Sequence, residues 1–133
     1  MTERRALPRS IRTVRLVWIA GFLVGTTTHV ADLVLGGSGV YSGYPDAVRL
    51  FWVSLTVLDP LAVVLVAVRS RSGVLLGVVI MLADVAVNVS VAATIGGLAL
   101  FGLVNQSLFC AFVLLAARPL WRAFSTRTEP DRG

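Results

Sequence analysis

The sequence predicts an all-α integral membrane protein, a single four-helix bundle whose amino and carboxyl termini both lie in the cytoplasm. Three observations predict this: an apolar composition, four long apolar runs and an uneven distribution of arginines. Of the 133 residues, 56% are hydrophobic and 14% are charged, whereas a typical soluble domain is about one half apolar and about one quarter charged. A soluble protein of this size could not bury so much apolar surface. We therefore expect a multi-pass protein of the cell membrane.

The apolar runs have similar lengths and are separated by short polar segments. Each is close to the roughly 20 residues that a helix needs to cross about 30 Å of hydrocarbon. Backbone polar groups in lipid must pair within their own segment, so each run is predicted to be a helix. The polar tail at about 125–133 is predicted to be disordered. The predicted spans lie at about 14–35, 48–68, 73–94 and 97–117.

The arginines predict the orientation of the helices. Arginine supplies all twelve basic residues, and most lie before the first run, between the second and third runs, or after the fourth. Only Arg49 belongs to the opposite side, so the positive-inside rule places both termini and the middle loop in the cytoplasm. The net charge of +5 follows from this topology. Because no aromatic residues interleave with the arginines, we expect membrane lipids as partners and no nucleic acid.

Strongly polar side chains lie inside the predicted helices. A charge in a membrane helix costs roughly 2.5 to 3.5 kcal/mol on insertion scales, so such residues indicate function. At about 1.5 Å of rise per residue, all four helices place their polar groups about 5 to 17 Å below the outer face. This common depth predicts a polar cavity in the outer half of the membrane, open or nearly open to the outside. The residues are His29, Asp32, Asp59, Asp84, Asn88, Asn105 and Gln106.

Residue spacing supports this interpretation. His29 and Asp32 are three positions apart, and Asp84 and Asn88 are four apart, so each pair shares one helical face. These four residues, together with Asp59, are the predicted ligand-binding set. The remaining pair, Asn105 and Gln106, is better explained by hydrogen bonds between helices.

Two further patterns concern how the helices pack. The spacing of small residues at Gly21–Gly25 and Gly73–Gly77 predicts that the helices approach closely on the cytoplasmic side of the membrane. Pro60 cannot donate to the carbonyl of Thr56, which predicts a kink and a free acceptor beside Asp59. Free carbonyls next to acids are used to build ligand sites in membranes.

The aromatic residues mostly lie near the ends of the predicted spans, as is typical of the membrane interface. They are Trp18, Tyr41, Tyr44, Trp52 and Trp121.

Several short strings resemble small uncharacterised four-helix integral membrane proteins of actinobacteria, and this resemblance covers most of the chain. It implies a topology and no activity. The strings are residues 29–33, Tyr44-Pro45, Phe51-Trp52, residues 58–61 and residues 84–88.

The segment from Asp32 to Pro60 is similar to EXPERA-type proteins, the group of the sterol isomerases and the sigma-2 receptor. In that family an acid also ends the first helix, a Tyr-Pro and an aromatic pair follow, and an Asp-Pro-Leu comes next. The resemblance implies that Asp32 and Asp59 are the acids that meet a cationic or sterol-like ligand.

The leading interpretation is that the protein binds a small amphiphilic or cationic lipid-like ligand. Asp59 and Asp84 would form the floor of its site, with His29 and Asp32 near the mouth. Three alternatives stay open: a proton-coupled transporter subunit that acts as a homo-oligomer, an isomerase-like enzyme for a lipid or terpenoid, and an assembly partner without a ligand. The sequence contains no zinc signature, phosphate loop or nucleophile elbow, so we predict no catalytic residue, metal or cofactor.

Overall fold

The computed structural model describes residues 6–125, which form four α-helices and no β-strand. Each helix is long and apolar enough to cross a membrane, so the all-α fold with four membrane-length helices is confirmed. The orientation of the termini stays a prediction, and the predicted disordered tail beyond Ser125 lies outside the described residues. The helices are α1 (Arg9–Gly36), α2 (Asp46–Ala67), α3 (Arg71–Thr94) and α4 (Leu100–Ala123), with a short 3-10 helix at Gly37–Gly39.

Two helices extend past the predicted apolar runs. α1 begins at Arg9 and α4 continues through Pro119 to Ala123. Arginine favours helix as strongly as leucine does, so a helix continues where the hydrophobic run ends. α2 likewise continues without interruption through Pro60.

Short connections join the helices, and local sequence accounts for them. Proline precedes both α1 and α2, where its missing amide hydrogen costs nothing. The Ser70 side chain accepts the Ser72 amide at the start of α3, which is the usual role of serine before a helix. Gly96 and Gly97 both have a positive φ in the α3–α4 connection, a conformation that glycine adopts without strain.

Consecutive helices are antiparallel neighbours, and α1 packs extensively on α2 but only lightly on α4. We call the end with the α1–α2 and α3–α4 connections the loop end, and the opposite end the terminal end. The two connections meet at the loop end, where a Cβ atom on Gly97 would lie 2.9 Å from the Tyr44 hydroxyl. The bundle is therefore least tightly joined along the seam between α1 and α4.

Large side chains fill the centre of the bundle while the outer surface stays apolar. Trp18, Phe22 and Leu55 are almost completely buried, whereas Leu115 and Phe101 are about four-fifths exposed. Extensive exposed apolar surface is unusual in a soluble monomer. The four apolar helices are therefore compatible with a multi-pass membrane protein.

Burial corrects the interfacial interpretation of two aromatic residues. Trp18 has no exposed surface and Trp52 has 4%, so both are core residues, whereas Trp121 is 39% exposed. Position along the helix could not show this, because an aromatic near a helix end can point inward or outward.

The glycines predicted to bring helices together make two kinds of contact. A Cβ atom on Gly73 would lie 2.7 Å from the backbone of Leu65, so α2 and α3 approach closely there. A Cβ atom on Gly77 would lie 2.7 Å from the ring of Trp18. Gly77 therefore makes room for a side chain rather than for a helix backbone.

Candidate functional site

A closed hydrogen-bond network joins α2, α3 and α4 inside the bundle. The side-chain amide of Asn88 donates to Oδ1 of Asp84 at 3.2 Å and to Oε1 of Gln106 at 2.7 Å. Gln106 in turn donates from Nε2 to Oδ2 of Asp84. The indole Nε1 of Trp52 donates to Oδ1 of Asn88 at 2.8 Å. We call Trp52, Asp84, Asn88 and Gln106 the polar network.

The polar network satisfies its own members. Asp84 is 5% exposed, yet each of its carboxylate oxygens accepts an amide hydrogen. Both amides also use their carbonyl oxygens as acceptors, for Trp52 and Asn88 respectively. Buried polar groups that are fully paired avoid the desolvation cost of unpaired ones. The network therefore holds Asp84 in a stable position between the helices.

Asp59 differs from Asp84 because its carboxylate receives no hydrogen bond from the described part of the chain. It is 4% exposed, and among residues 6–125 no hydrogen bond reaches its carboxylate. Its Oδ2 lies against Gly25 of α1, where a Cβ atom would come within 2.7 Å. Asp59 and Asp84 are close enough for their charges to interact. The site therefore contains two neighbouring buried acids, one that accepts hydrogen bonds and one that accepts none from residues 6–125.

His29 and Asp32 lie nearer the loop end and outside the polar network. Asp32 is exposed and accepts a hydrogen bond of 2.7 Å from the Tyr41 hydroxyl. His29 is partly buried, and its Nδ1 has no hydrogen-bond partner in the described chain. The two residues share a face of α1, as their spacing predicts, without a direct hydrogen bond.

Tyr41 connects Asp32 to the polar network. Its backbone has a φ of 64°, an uncommon conformation for a bulky residue, and its ring centroid lies 4.8 Å from that of Trp52. Tyr44 packs edge-on against the same indole at 4.9 Å. Burial, followed by the hydrogen bond to Asp32, raises the pKa of the Tyr41 phenol. A continuous path of contacts thus runs from Asp32 through Tyr41 and Trp52 to Asn88.

The structure therefore brings together some of the predicted residues directly and others through intermediaries. Asp84 and Asn88 are hydrogen-bonded, and Asp59 lies near Asp84. Gln106, expected to form hydrogen bonds between helices, bonds to Asn88 and Asp84 of α3, whereas its neighbour Asn105 is exposed.

Sequence reasoning missed the roles of Tyr41 and Trp52. The spacing of Tyr41 and Tyr44 in a short loop, with Trp52 nearly two helical turns after the start of α2, is a signal that these rings can meet. It does not reveal which polar groups they bind, because that depends on how α2 and α3 are rotated.

The predicted outer polar cavity stays a prediction. The protein surface has a depression of about 400 Å³ between α1 and the start of α2, lined in part by Leu33, Asp46 and Arg49. A second depression of about 420 Å³ lies between α3 and α4 at the terminal end. Neither is lined by any of the five predicted ligand-binding residues.

Within the described part of the chain, no three histidine, cysteine or acidic side chains are arranged to hold a metal ion. The arrangement instead offers two buried carboxyls, which can bind a cation or exchange a proton. No protein-family model matches the chain, and no curated protein or solved structure matches it either.

Proposed function

We propose that this membrane protein binds a small amphiphilic cation whose positive charge pairs with Asp59. One observation carries the proposal: the Asp59 carboxyl is 4% exposed and receives no hydrogen bond from the described residues. Asp84 beside it has two amide donors. An ionised carboxylate without a partner is costly inside a protein, and a bound cation would remove that cost.

The surroundings of Asp59 favour an apolar body attached to the cation. Leu55 and Ala62, about one turn away on either side along α2, are completely buried. Gly25 faces the carboxylate from α1. A hydrophobic amine matches such a site, because its apolar part replaces side-chain contacts while its ammonium group donates to the acid. The resemblance of the Asp32–Pro60 segment to EXPERA-type proteins leads to the same class of ligand.

Access to Asp59 requires a movement of α1. Neither surface depression reaches the carboxyl. α1 buries only Trp18 and Phe22 and packs lightly on α4. Beside Gly25, the hydroxyls of Thr26 and Thr27 donate to carbonyls of their own helix, an arrangement that often bends helices. The ligand would therefore pass between α1 and α4.

The test is binding of N,N-dimethyldodecylamine to the purified protein in detergent, with dodecanol as the uncharged ligand of equal chain length. Asp59→Asn should weaken amine binding by at least about a hundredfold, because removing one partner of a buried charge pair typically costs about 3 to 5 kcal/mol. Asp46→Asn is the matched control, since Asp46 is exposed and paired with Arg49 at the surface.

The amine should bind more tightly than dodecanol to the unmodified protein and to Asp46→Asn. Equal affinity of the amine for the Asp59→Asn variant and the unmodified protein would show that Asp59 is not the counter-ion. Folding of each variant is checked by its unfolding midpoint.

A second candidate function is proton-coupled transport of such a cation. The observation that favours it is the proximity of two buried carboxyls, Asp59 and Asp84, because neighbouring acids in a membrane can exchange a proton for a cation. In proteoliposomes, amine movement should then depend on an imposed pH gradient and should stop in Asp59→Asn. Binding without gradient-dependent movement would leave only the first function.

A further inference from the structure

The depression between α3 and α4 at the terminal end combines an apolar lining with a cationic rim. Its volume is about 420 Å³, and its apolar lining includes Leu75, Val78 and Ala117. The lining residues with charged or aromatic side chains are Arg118, Trp121 and Arg122. We call this feature the α3–α4 groove. Its lining residues belong to the same two helices as Asp84 and Gln106 but lie towards the opposite end of the bundle.

A third guanidinium group lies beside the groove. The guanidinium carbon Cζ of Arg71, at the start of α3, lies 5.0 Å from the centroid of the Trp121 ring. Its Nε also donates to the carbonyl oxygen of Trp121 at 3.4 Å. Cation–π contact and hydrogen bond together hold Arg71 against the last turns of α4. The rim of the groove is therefore an organised cluster of three arginines around one tryptophan.

No acid among the described residues neutralises this rim. Each described arginine except Arg49 lies at the terminal end. The described salt bridge joins Arg49 to Asp46 at the loop end, and the other described acids are the residues of the candidate site. Within residues 6–125 the rim thus presents positive charge without an acidic partner, next to an apolar surface.

We propose that the α3–α4 groove binds an anionic phospholipid, with its phosphate at Arg118 and Arg122 and an acyl chain along Val78 and Ala117. Guanidinium groups match phosphate oxygens in geometry and charge, and a half-exposed tryptophan suits the boundary between headgroup and hydrocarbon. A second copy of the chain fits less well, because a symmetric contact would bring two cationic rims together. The charge selects an anionic lipid over a zwitterionic one.

The test uses the full-length protein in vesicles that contain a fixed fraction of brominated lipid, which quenches tryptophan emission on contact. Brominated phosphatidylglycerol is compared with brominated phosphatidylcholine. Trp121 is the reporter, since Trp18 and Trp52 are buried, and Trp121→Phe should remove most of the quenching. The unmodified protein should prefer phosphatidylglycerol.

Arg118→Gln with Arg122→Gln should reduce this preference at least about tenfold, because each arginine near a membrane surface contributes roughly fivefold. The matched control, Arg9→Gln with Arg12→Gln, removes the same charge from the terminal end. This control should change the preference by less than about twofold, since salt in the solvent screens the attraction between lipid headgroups and exposed charges outside the groove. Equal losses in both double variants would overturn the proposal in favour of diffuse attraction.

The acyl-chain part of the proposal has its own matched pair of variants. Val78→Phe fills the groove and should reduce quenching by both lipids, whereas Val64→Phe adds the same ring at an exposed position on α2 and should not. Unchanged quenching in Val78→Phe would refute acyl-chain binding. Competition by excess inorganic phosphate would also overturn the proposal, because it would identify a soluble phosphate compound as the ligand.

Discussion

Asn88 is the residue on which the polar network depends, and replacing it tests the network most directly. Its side chain takes part in three hydrogen bonds, to Trp52 on α2, to Asp84 within α3 and to Gln106 on α4. Asn88→Ala removes all three and leaves an indole N–H, an amide carbonyl and one carboxylate oxygen without their partner. The substitution therefore removes the hydrogen bond from α2 to the network and leaves only the bond from Gln106 to Asp84 between α3 and α4.

The expected loss follows from measured hydrogen bonds in membrane proteins. These average about 0.6 kcal/mol and reach about 1.7 kcal/mol, so three of them predict that Asn88→Ala lowers the free energy of unfolding by about 2 kcal/mol. Asn88→Leu, which is close to asparagine in size, should not recover the loss, because the same groups stay unpaired. If Asn88→Leu restored the free energy of unfolding, the loss in Asn88→Ala would come from a cavity and not from the lost hydrogen bonds.

Reversible unfolding in mixed micelles, with increasing sodium dodecyl sulfate and tryptophan emission as the signal, measures this quantity. Asn105→Ala is the matched control, since Asn105 is exposed and should change stability by less than about 0.5 kcal/mol. The double variant Asn88→Ala with Gln106→Ala should lose less than the sum of the single losses, because the two residues share a bond. Equal losses for Asn88→Ala and Asn105→Ala would refute the network.

Two other predictions concern packing and pH. Gly77→Ala places a Cβ atom 2.7 Å from the buried Trp18 ring and should destabilise the protein by about 1 to 3 kcal/mol. The control Gly102→Ala, with open space around it, should be neutral or stabilising by up to about 1 kcal/mol. Equal effects of the two variants in unfolding titrations would contradict this prediction. In Tyr44→Phe, Tyr41 is the remaining tyrosine, and ultraviolet absorbance should show a phenol pKa above its ordinary value of 10.0 because of burial and the bond to Asp32. Because the pKa of the Tyr41 phenol is raised in the folded state, the stabilisation from its neutral, hydrogen-bonded form is complete below about pH 10 and declines as the pH rises through the folded-state pKa. A titration midpoint at the ordinary value would show that the contact between Tyr41 and Asp32 is absent.

The contrast between the two buried acids explains why they are assigned different tasks. Asp84 is held by Asn88 and Gln106, so a change there should alter stability as well as function. Asp59 lies against Gly25 and accepts no hydrogen bond from the residues that the structure describes, so its replacement by asparagine should alter ligand binding with less effect on folding. Comparing Asp59→Asn with Asp84→Asn in one unfolding assay separates these two roles.

The sequence by itself determined the number, type and approximate extent of the helices. Hydropathy belongs to each run separately, and lipid leaves a single chain segment no alternative to the helix. It also identified the buried acids as exceptional, because ionisable groups in apolar runs are costly wherever they point. The arginines predict the orientation of the bundle by the same kind of local argument.

Only the tertiary structure decided which polar groups meet. The helices are apolar around most of their circumference, so the sequence carries little information about the rotation of each helix about its axis. Packing of large side chains against small ones, such as Trp18 on Gly77, sets that rotation. It turns Gln106 inward and Asn105 outward, and it places Trp52 on Asn88. Contacts between helices are a property of the assembled bundle, and no single run encodes them.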